Sequence, residues 1–412
     1  MTVTTGCSDG TVGSFLLATN TERIVSFVVT TVDSVLSGVQ QLAHEWKHQR
    51  AERQARRELV RADFDALRET GFLRLIAPLD DGGLWSGAAT SARPIADALR
   101  CLAGADPAVA LVSAMHPAVI AFWLFSPDPI ESTWAAQRRA VFASAVAGER
   151  WGTITSEPGS GGDIGRTKAI AEPSDHAPFM PGETYVVTGD KHFGSGSGIV
   201  DRMITTALPE GSTEPTIFAM DVRDRPWDGS AGWTITAPWD GVGMAATQSH
   251  GMRLERMPAV RLARPGALAE VTAHAGAFVA TLFTAVVVGV LDEAVAYAKT
   301  QLAPRAAQLR AFEQVEWTRS VNEHWLAVHA YEGALRAIEG ADQSALLSAL
   351  FAKEGVAELG ESVMSRLARV VGGGSFSRRS PLAHWYEDVR ALGFLRPPWG
   401  LAFDNLFTLS FA

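Results

Sequence analysis

The residues best placed to do chemistry lie between Trp151 and Ala207. One run there reads Ser156-Glu157-Pro158-Gly159-Ser160-Gly161-Gly162-Asp163. A second reads Gly189-Asp190-Lys191-His192-Phe193-Gly194-Ser195-Gly196. Glycines at 159, 161 and 162 leave backbone N–H groups uncovered, so the loop can approach a phosphate or a flat ring closely. Ordinary hairpin turns have a similar composition, so the glycines alone do not decide between the two. The β-prone runs Thr153 to Thr155, Tyr185 to Thr188 and Arg202 to Thr206 alternate with glycine turns, the pattern of a small β domain. The sequence carries no zinc-ligand spacing, no P-loop and no Gly-x-Ser-x-Gly elbow, so no metal is expected.

The first run resembles the T-E-P-G-(A/S)-G-S-D signature of acyl-CoA dehydrogenases. The second resembles the G-x-K-x-(W/F)-I-(T/S)-N segment that follows it in the same family. Two further phrases fit. The segment from Gly71 to Gly83 resembles the family's N-terminal domain, and Thr247 to Leu254 resembles one of its strands. The resemblance spans Val60 to Pro398. It implies an α+β, mainly α fold: an N-terminal helical domain, a central β domain and a C-terminal four-helix bundle. It implies FAD, cradled by Thr153, Thr155, Ser156, Gly161 and Gly162. Phe193 would stack behind the ring and Ser195 would hydrogen-bond its edge. It also implies that a neighbouring subunit completes the cofactor site, hence a homodimer or homotetramer. Arg369 stands where the family has Gln before a glycine turn, here Gly372 and Gly373. A guanidinium there can pair with a phosphate; a simple helix cap would use the same glycines.

The acyl-CoA half of the pattern fails. Dehydrogenating an acyl thioester needs a carboxylate within reach of the α carbon. Aligning Glu387 to Arg390 with the family's R-D-A-(K/R) phrase puts Arg396 at the usual Glu. The alternative position on the central bundle helix falls at Thr281. An arginine cannot accept a proton at neutral pH. Arg396 is therefore expected to hold an anionic group, and His116 is the remaining candidate proton donor or acceptor; His116 is equally readable as a packed helix histidine. His250 and His384 are weaker candidates. Three functions follow. The first is oxidation of an acyl-CoA or similar thioester, with hydride passing to FAD and on to an electron acceptor. The second is a monooxygenase of the same fold using FMN or reduced flavin from a partner reductase, which needs no α-carbon base. The third is a flavin- or acyl-binding protein without turnover.

These residues must be positioned by a chain of 412 residues, long enough to bury a large core. The expected segments are a tail over 1–20, helices over 21–148, strands over 149–265 and helices over 266–412. A net charge of −9 argues against nucleic acid as a partner. The apolar run Ala275 to Val290 is shorter than a bilayer span and reads as a core helix. Met1 to Gly13 does not resemble a secretory signal. The two cysteines, Cys7 and Cys101, make no disulfide framework and point to a reducing, cytoplasmic setting.

Overall fold

The computed structural model describes residues 30–126, 132–264 and 268–411. The tail expected over 1–20, and Cys7 with it, lies outside them. Among the described residues, six α-helices come first: α1 Val32–His48, α2 Arg50–Ala55, α3 Arg61–Glu69, α4 Ala88–Ala103, α5 Pro107–Leu124 and α6 Thr133–Val146. Thr31 and Ser34 form a capping box that starts α1, and Val35, Val39, Ala43 and Trp46 make its buried stripe. The stretch before Gly71 forms three helices, broken at Gln49 and over 56–60. Gly71 ends α3 with φ 89°, a left-handed conformation that suits glycine.

Seven strands follow: β1 Trp151–Thr153, β2 Ile170–Pro173, β3 Thr184–Gly194, β4 Arg202–Pro209, β5 Thr216–Asp221, β6 Trp233–Ala237 and β7 His250–Arg261. The order β4-β2-β3-β7-β5 closes on itself through the β4–β5 pairing. Outside that circuit, β1 is added to β4 and β6 to β7. Their inner faces bury an apolar core that includes Ile154, Met203, Phe218 and Trp233.

The remaining helices are α7 Leu268–Leu302, α8 Ala311–Glu339, α9 Ala345–Val371, α10 Pro381–Arg390 and α11 Trp399–Leu409. Helices α5 and α7 are apolar enough and long enough to cross a membrane, yet both are mostly buried inside the fold. The order of helices, strands and helical bundle is the one the family resemblance implies. In the sequence the last short helical stretch runs from His384 to Leu392. The structure adds α11 after Pro397-Pro398, because a proline ahead of the first turn starts a helix as readily as it stops one.

Two buried polar ties fix the strands to one another and to the bundle. Lys191 on β3 is fully buried. Its Nζ donates to Glu157 Oε1 (2.5 Å), Thr206 O (2.6 Å) and Thr167 Oγ1 (3.1 Å), which uses all three ammonium hydrogens. Burial holds Lys191 down at about 8, against the pull of Glu157. Burial alone would raise the Glu157 carboxyl. The bonds from Lys191, from Thr167 and from the Lys168 N–H outweigh it and hold the group below the usual carboxylate range. The second tie is Asp388 on α10, whose Oδ1 accepts from the Met244 N–H at 2.7 Å. Burial pushes Asp388 up to about 7, and the nearby charges of Asp106 and Glu387 add to that.

Lys191→Met should cost about 3–5 kcal/mol in urea unfolding, because it leaves the buried Glu157 carboxylate unpaired. A loss under 1 kcal/mol would mean the pair contributes little. For Asp388 the folded pKa lies above the unfolded one. Between the ordinary aspartate range and about pH 7 the unfolded chain has lost a proton that the folded chain keeps, so stability falls as pH rises through this window. Asp388→Asn keeps an acceptor for the Met244 N–H and should flatten the fall between pH 5 and pH 8 by on the order of 2 kcal/mol. Equal slopes in the two proteins would refute the assignment.

Candidate functional site

A cavity of about 730 Å³ opens where the strands meet α5, α7 and the segment around α10. One wall is the loop after β1. Gly159 and Gly161 have φ of 77° and 64°, and a Cβ added to either would meet nothing within 4 Å. The loop therefore fronts open space with bare backbone. The opposite wall is apolar and includes Leu111, Met115, Phe283, Trp239 and Leu395.

β3 delivers the aromatic. Its pairing with β7 slips between Lys191 and Gly194, and at this bulge Phe193 takes φ 61°. The bulge turns the side chain out of the sheet, where it is 58% exposed, into the cavity and near Trp239. Two residues on, Ser195 Oγ lies 2.8 Å from Ser249 Oγ, which lies 2.7 Å from Thr247 Oγ1. The Thr247 hydroxyl donates to the Met244 carbonyl at 2.9 Å. Between Thr247 and Ser249, Gln248 adopts φ 47°, and its side-chain oxygen accepts from the Leu59 N–H.

Arg396 follows a short 3-10 turn, Ala391–Phe394, after α10 and lines the cavity. It donates to Ser156 Oγ (2.7 Å) and to the Gly162 carbonyl (2.9 Å). No carboxylate lies within ion-pair distance of it among the described residues. Burial pushes it down to about 10, with Asp163 pulling the other way, so it remains a cation at neutral pH. It is not a solvated loop residue, although it stands beside two prolines.

The loop from Trp239 to Thr247 closes the site. The Trp239 N–H donates to His250 Nδ1, and the Trp239 indole donates to the Met244 carbonyl. A Cβ on Gly243 would sit 2.2 Å from the Glu387 carbonyl, so only glycine lets this loop lie against α10.

Of the residues singled out in the sequence, Thr153, Thr155, Ser156, Gly161, Gly162, Phe193, Ser195 and Arg396 all line this cavity. His116 does not. Its Nε2 donates to the Leu73 carbonyl (3.0 Å) and its Nδ1 accepts from the Trp151 N–H (3.2 Å). It is 3% exposed, and burial pushes it down to about 4, so it is a neutral tether between helix and strand with no free ring nitrogen. That geometry gives no support to a proton-transfer role. Arg369, Gly372 and Gly373 also lie away from the cavity. The Arg369 guanidinium pairs with Glu316 (3.0 Å), which Arg366 also holds. His250 anchors the Trp239 loop, and His384 bonds the Arg378 carbonyl. The sequence reading overlooks Glu387 and Arg390 of α10, which enter the lining paired to each other at 2.8 Å. Their three-residue spacing puts them on one helix face, but nothing in the sequence says that this face meets a cavity.

No family model matches the chain. By sequence it is 26% identical over 355 residues to the amino sugar nitrososynthase DnmZ of Streptomyces peucetius, covering 81% of this chain and 82% of the relative. By structure it matches the FMN-bound dibenzothiophene monooxygenase TdsC of Paenibacillus sp. A11-2. The TM-score is 0.75 at 19% identity, over 90% of this chain and 96% of the other. It also matches butyryl-CoA dehydrogenase of Megasphaera elsdenii, with TM-score 0.76 at 18% identity over 92% and 98%. The chain has the acyl-CoA dehydrogenase fold.

Proposed function

We propose that this chain is a flavin-dependent monooxygenase that takes its flavin, FMN or FAD, in reduced form from a separate reductase. The observation that carries the reading is Arg396. It is a half-buried cation with no carboxylate within ion-pair distance among the described residues, at the position where the family resemblance expects the catalytic carboxylate. The names of DnmZ and TdsC support the same choice.

The residues present fit a flat ring. Gly159 and Gly161 offer bare backbone and open space, and Phe193 presents an aromatic face held in place by the bulge. Bound flavin would supply the redox chemistry, passing electrons to dioxygen. The chain's own part is positioning and solvent control. Leu111, Met115, Phe283 and Trp239 give the cavity an apolar wall that excludes water. Arg396 places a fixed positive charge where an anionic substrate group or developing negative charge can sit. The substrate class this favours is a small, largely apolar molecule with an acidic or strongly polar group.

One observation keeps acyl-thioester oxidation as a second reading: Glu387 is a carboxylate in the cavity lining. Its bond to Arg390 ties it down at 2.8 Å. We further propose a homodimer or homotetramer. Trp399, Phe403 and Phe407 are exposed at four-residue spacing along α11, an apolar stripe that a second copy would cover. In such an assembly Arg369 would be offered to a neighbour's cofactor.

Reduced FMN presented anaerobically and then exposed to air should give flavin-dependent oxygen consumption. Bleaching of bound oxidised flavin by acyl-CoA without oxygen would reverse the order of the two readings. Phe193→Ala should weaken flavin binding about three- to tenfold, as expected for losing a stacked aromatic; unchanged affinity would remove Phe193 from the site. Arg396→Ala should lower turnover far more than thermal stability. Arg396→Glu separates the readings, since a gain of acyl-CoA oxidation would show that the pocket fits thioesters and lacks only the base. Light scattering at micromolar concentration should give a mass of two or four chains, and a single-chain mass would contradict the assembly.

A further inference from the structure

The loop that closes the cavity hangs on one histidine nitrogen. The Trp239 main-chain N–H donates to His250 Nδ1 at 2.9 Å. A backbone N–H can only donate, so Nδ1 must be the bare, accepting nitrogen and Nε2 the one that carries the hydrogen. A proton at Nδ1 and this bond exclude each other, because protonation would set one N–H against another.

Trp239 is where the bond reaches the cavity. Its indole folds back over Gly241, where an added Cβ would lie 2.1 Å from the ring, and it donates to the Met244 carbonyl at 3.1 Å. The indole stands edge-on to Phe193, with ring centroids 6.3 Å apart and planes at 82°, and both residues line the cavity. The far end of the loop is held separately. The Met244 N–H donates to Asp388 at 2.7 Å, and the Thr247 N–H donates to the Met244 carbonyl at 3.1 Å. A carboxyl oxygen accepts in both protonation states, so that end keeps its bond across the neutral range. At the near end β6 stops at Ala237, and among the described residues the Trp239 main-chain N–H has His250 as its partner and no other.

The surroundings of His250 set the direction of its titration. It opens β7 opposite Gly194 of β3, which has no side chain to offer it. Trp227 meets its ring edge-on, with centroids 5.4 Å apart. From the segment between α2 and α3, the Glu58 carboxylate favours the charged form. Partial burial disfavours that form and prevails, so His250 titrates below the usual histidine range. The closed loop therefore has its full stability above about pH 6.5, the value of a free histidine, and loses it as pH falls below that.

We propose that His250 is a positioning residue that works as a proton-sensitive latch: its neutral Nδ1 holds Trp239 in the cavity wall beside Phe193, and protonation releases the Trp239 end of the loop and opens the site. That the opened site is a flavin site rests on the function proposed above; the latch itself does not.

The test is amide hydrogen exchange in the full chain over residues 239–244 between pH 5 and pH 8, corrected for the intrinsic pH dependence of exchange, with β5 as internal reference. Wild type should lose protection in the loop by up to about tenfold per pH unit below about 6.5, with β5 unchanged. His250→Asn puts an amide oxygen near the place of Nδ1 and does not titrate, so it should keep the loop protected throughout. His250→Phe offers no acceptor and should leave the loop unprotected at every pH. FMN binding by the full chain should weaken in acid in wild type and stay level in His250→Asn. A merely structural histidine would give a wild-type loop equally protected at pH 5 and pH 8, and that result alone overturns the inference, whatever the variants do. An acid-induced loss of protection in His250→Asn equal to that of wild type would overturn it too. Failure of wild type to bind FMN at any pH would overturn the flavin reading and leave the exchange result to decide the latch.

Discussion

The site depends on one buried ion pair. Glu157 belongs to the glycine loop and Lys191 to β3, and 34 residues of sequence separate them. An ammonium at 0% exposure is tolerated only with its hydrogens satisfied, and Glu157, Thr167 and Thr206 satisfy all three. The carboxylate needs donors as much as the lysine needs acceptors, and the Lys168 N–H supplies its second oxygen. The loop that fronts the cavity and the strand that carries Phe193 and Ser195 therefore have one allowed register. The bulge that turns Phe193 outward begins at Lys191 itself, so the same residue fixes the strand and releases the aromatic.

That the loop glycines, Phe193 and Ser195 line one cavity was legible in the sequence because they fall in contiguous runs. Loop, glycines, Phe193 and Ser195 fall within two short phrases, and their spacing carries the fold with them. What failed to show was long-range. His116 sits in an apolar helix, and only the fold reveals that the Leu73 carbonyl and the Trp151 N–H use both of its nitrogens. Arg369 looked free because Glu316, its partner, lies 53 residues away. Glu387 and Arg390 join the cavity because Gly243 admits close approach to α10, a fact of packing with no local signature.

Arg396 shows how the fold can change its chemistry at little structural expense. Its hydrogen bonds go to a carbonyl and a hydroxyl of the cradle, so it braces the glycine loop without a carboxylate. Replacing an anion by a cation inverts the sign of the field in the pocket. The glycine loop and the strand that carries Phe193 are held by a separate interaction, the ion pair of Glu157 and Lys191.

The pinned loop between Trp239 and Thr247 bears on how such a protein diversifies. Its ends and middle are tied by His250, Met244 and Asp388, so its length cannot drift without disturbing α10. Only outward-pointing positions are free to vary, and Val242 on this loop and Phe394 beyond α10 are 78% and 76% exposed at the cavity mouth. New substrate ranges would therefore arise by exchanging side chains at the rim, with the backbone held constant, in the manner of interchangeable fittings on a fixed frame. Libraries confined to these two positions would sample recognition while leaving the machinery behind them intact.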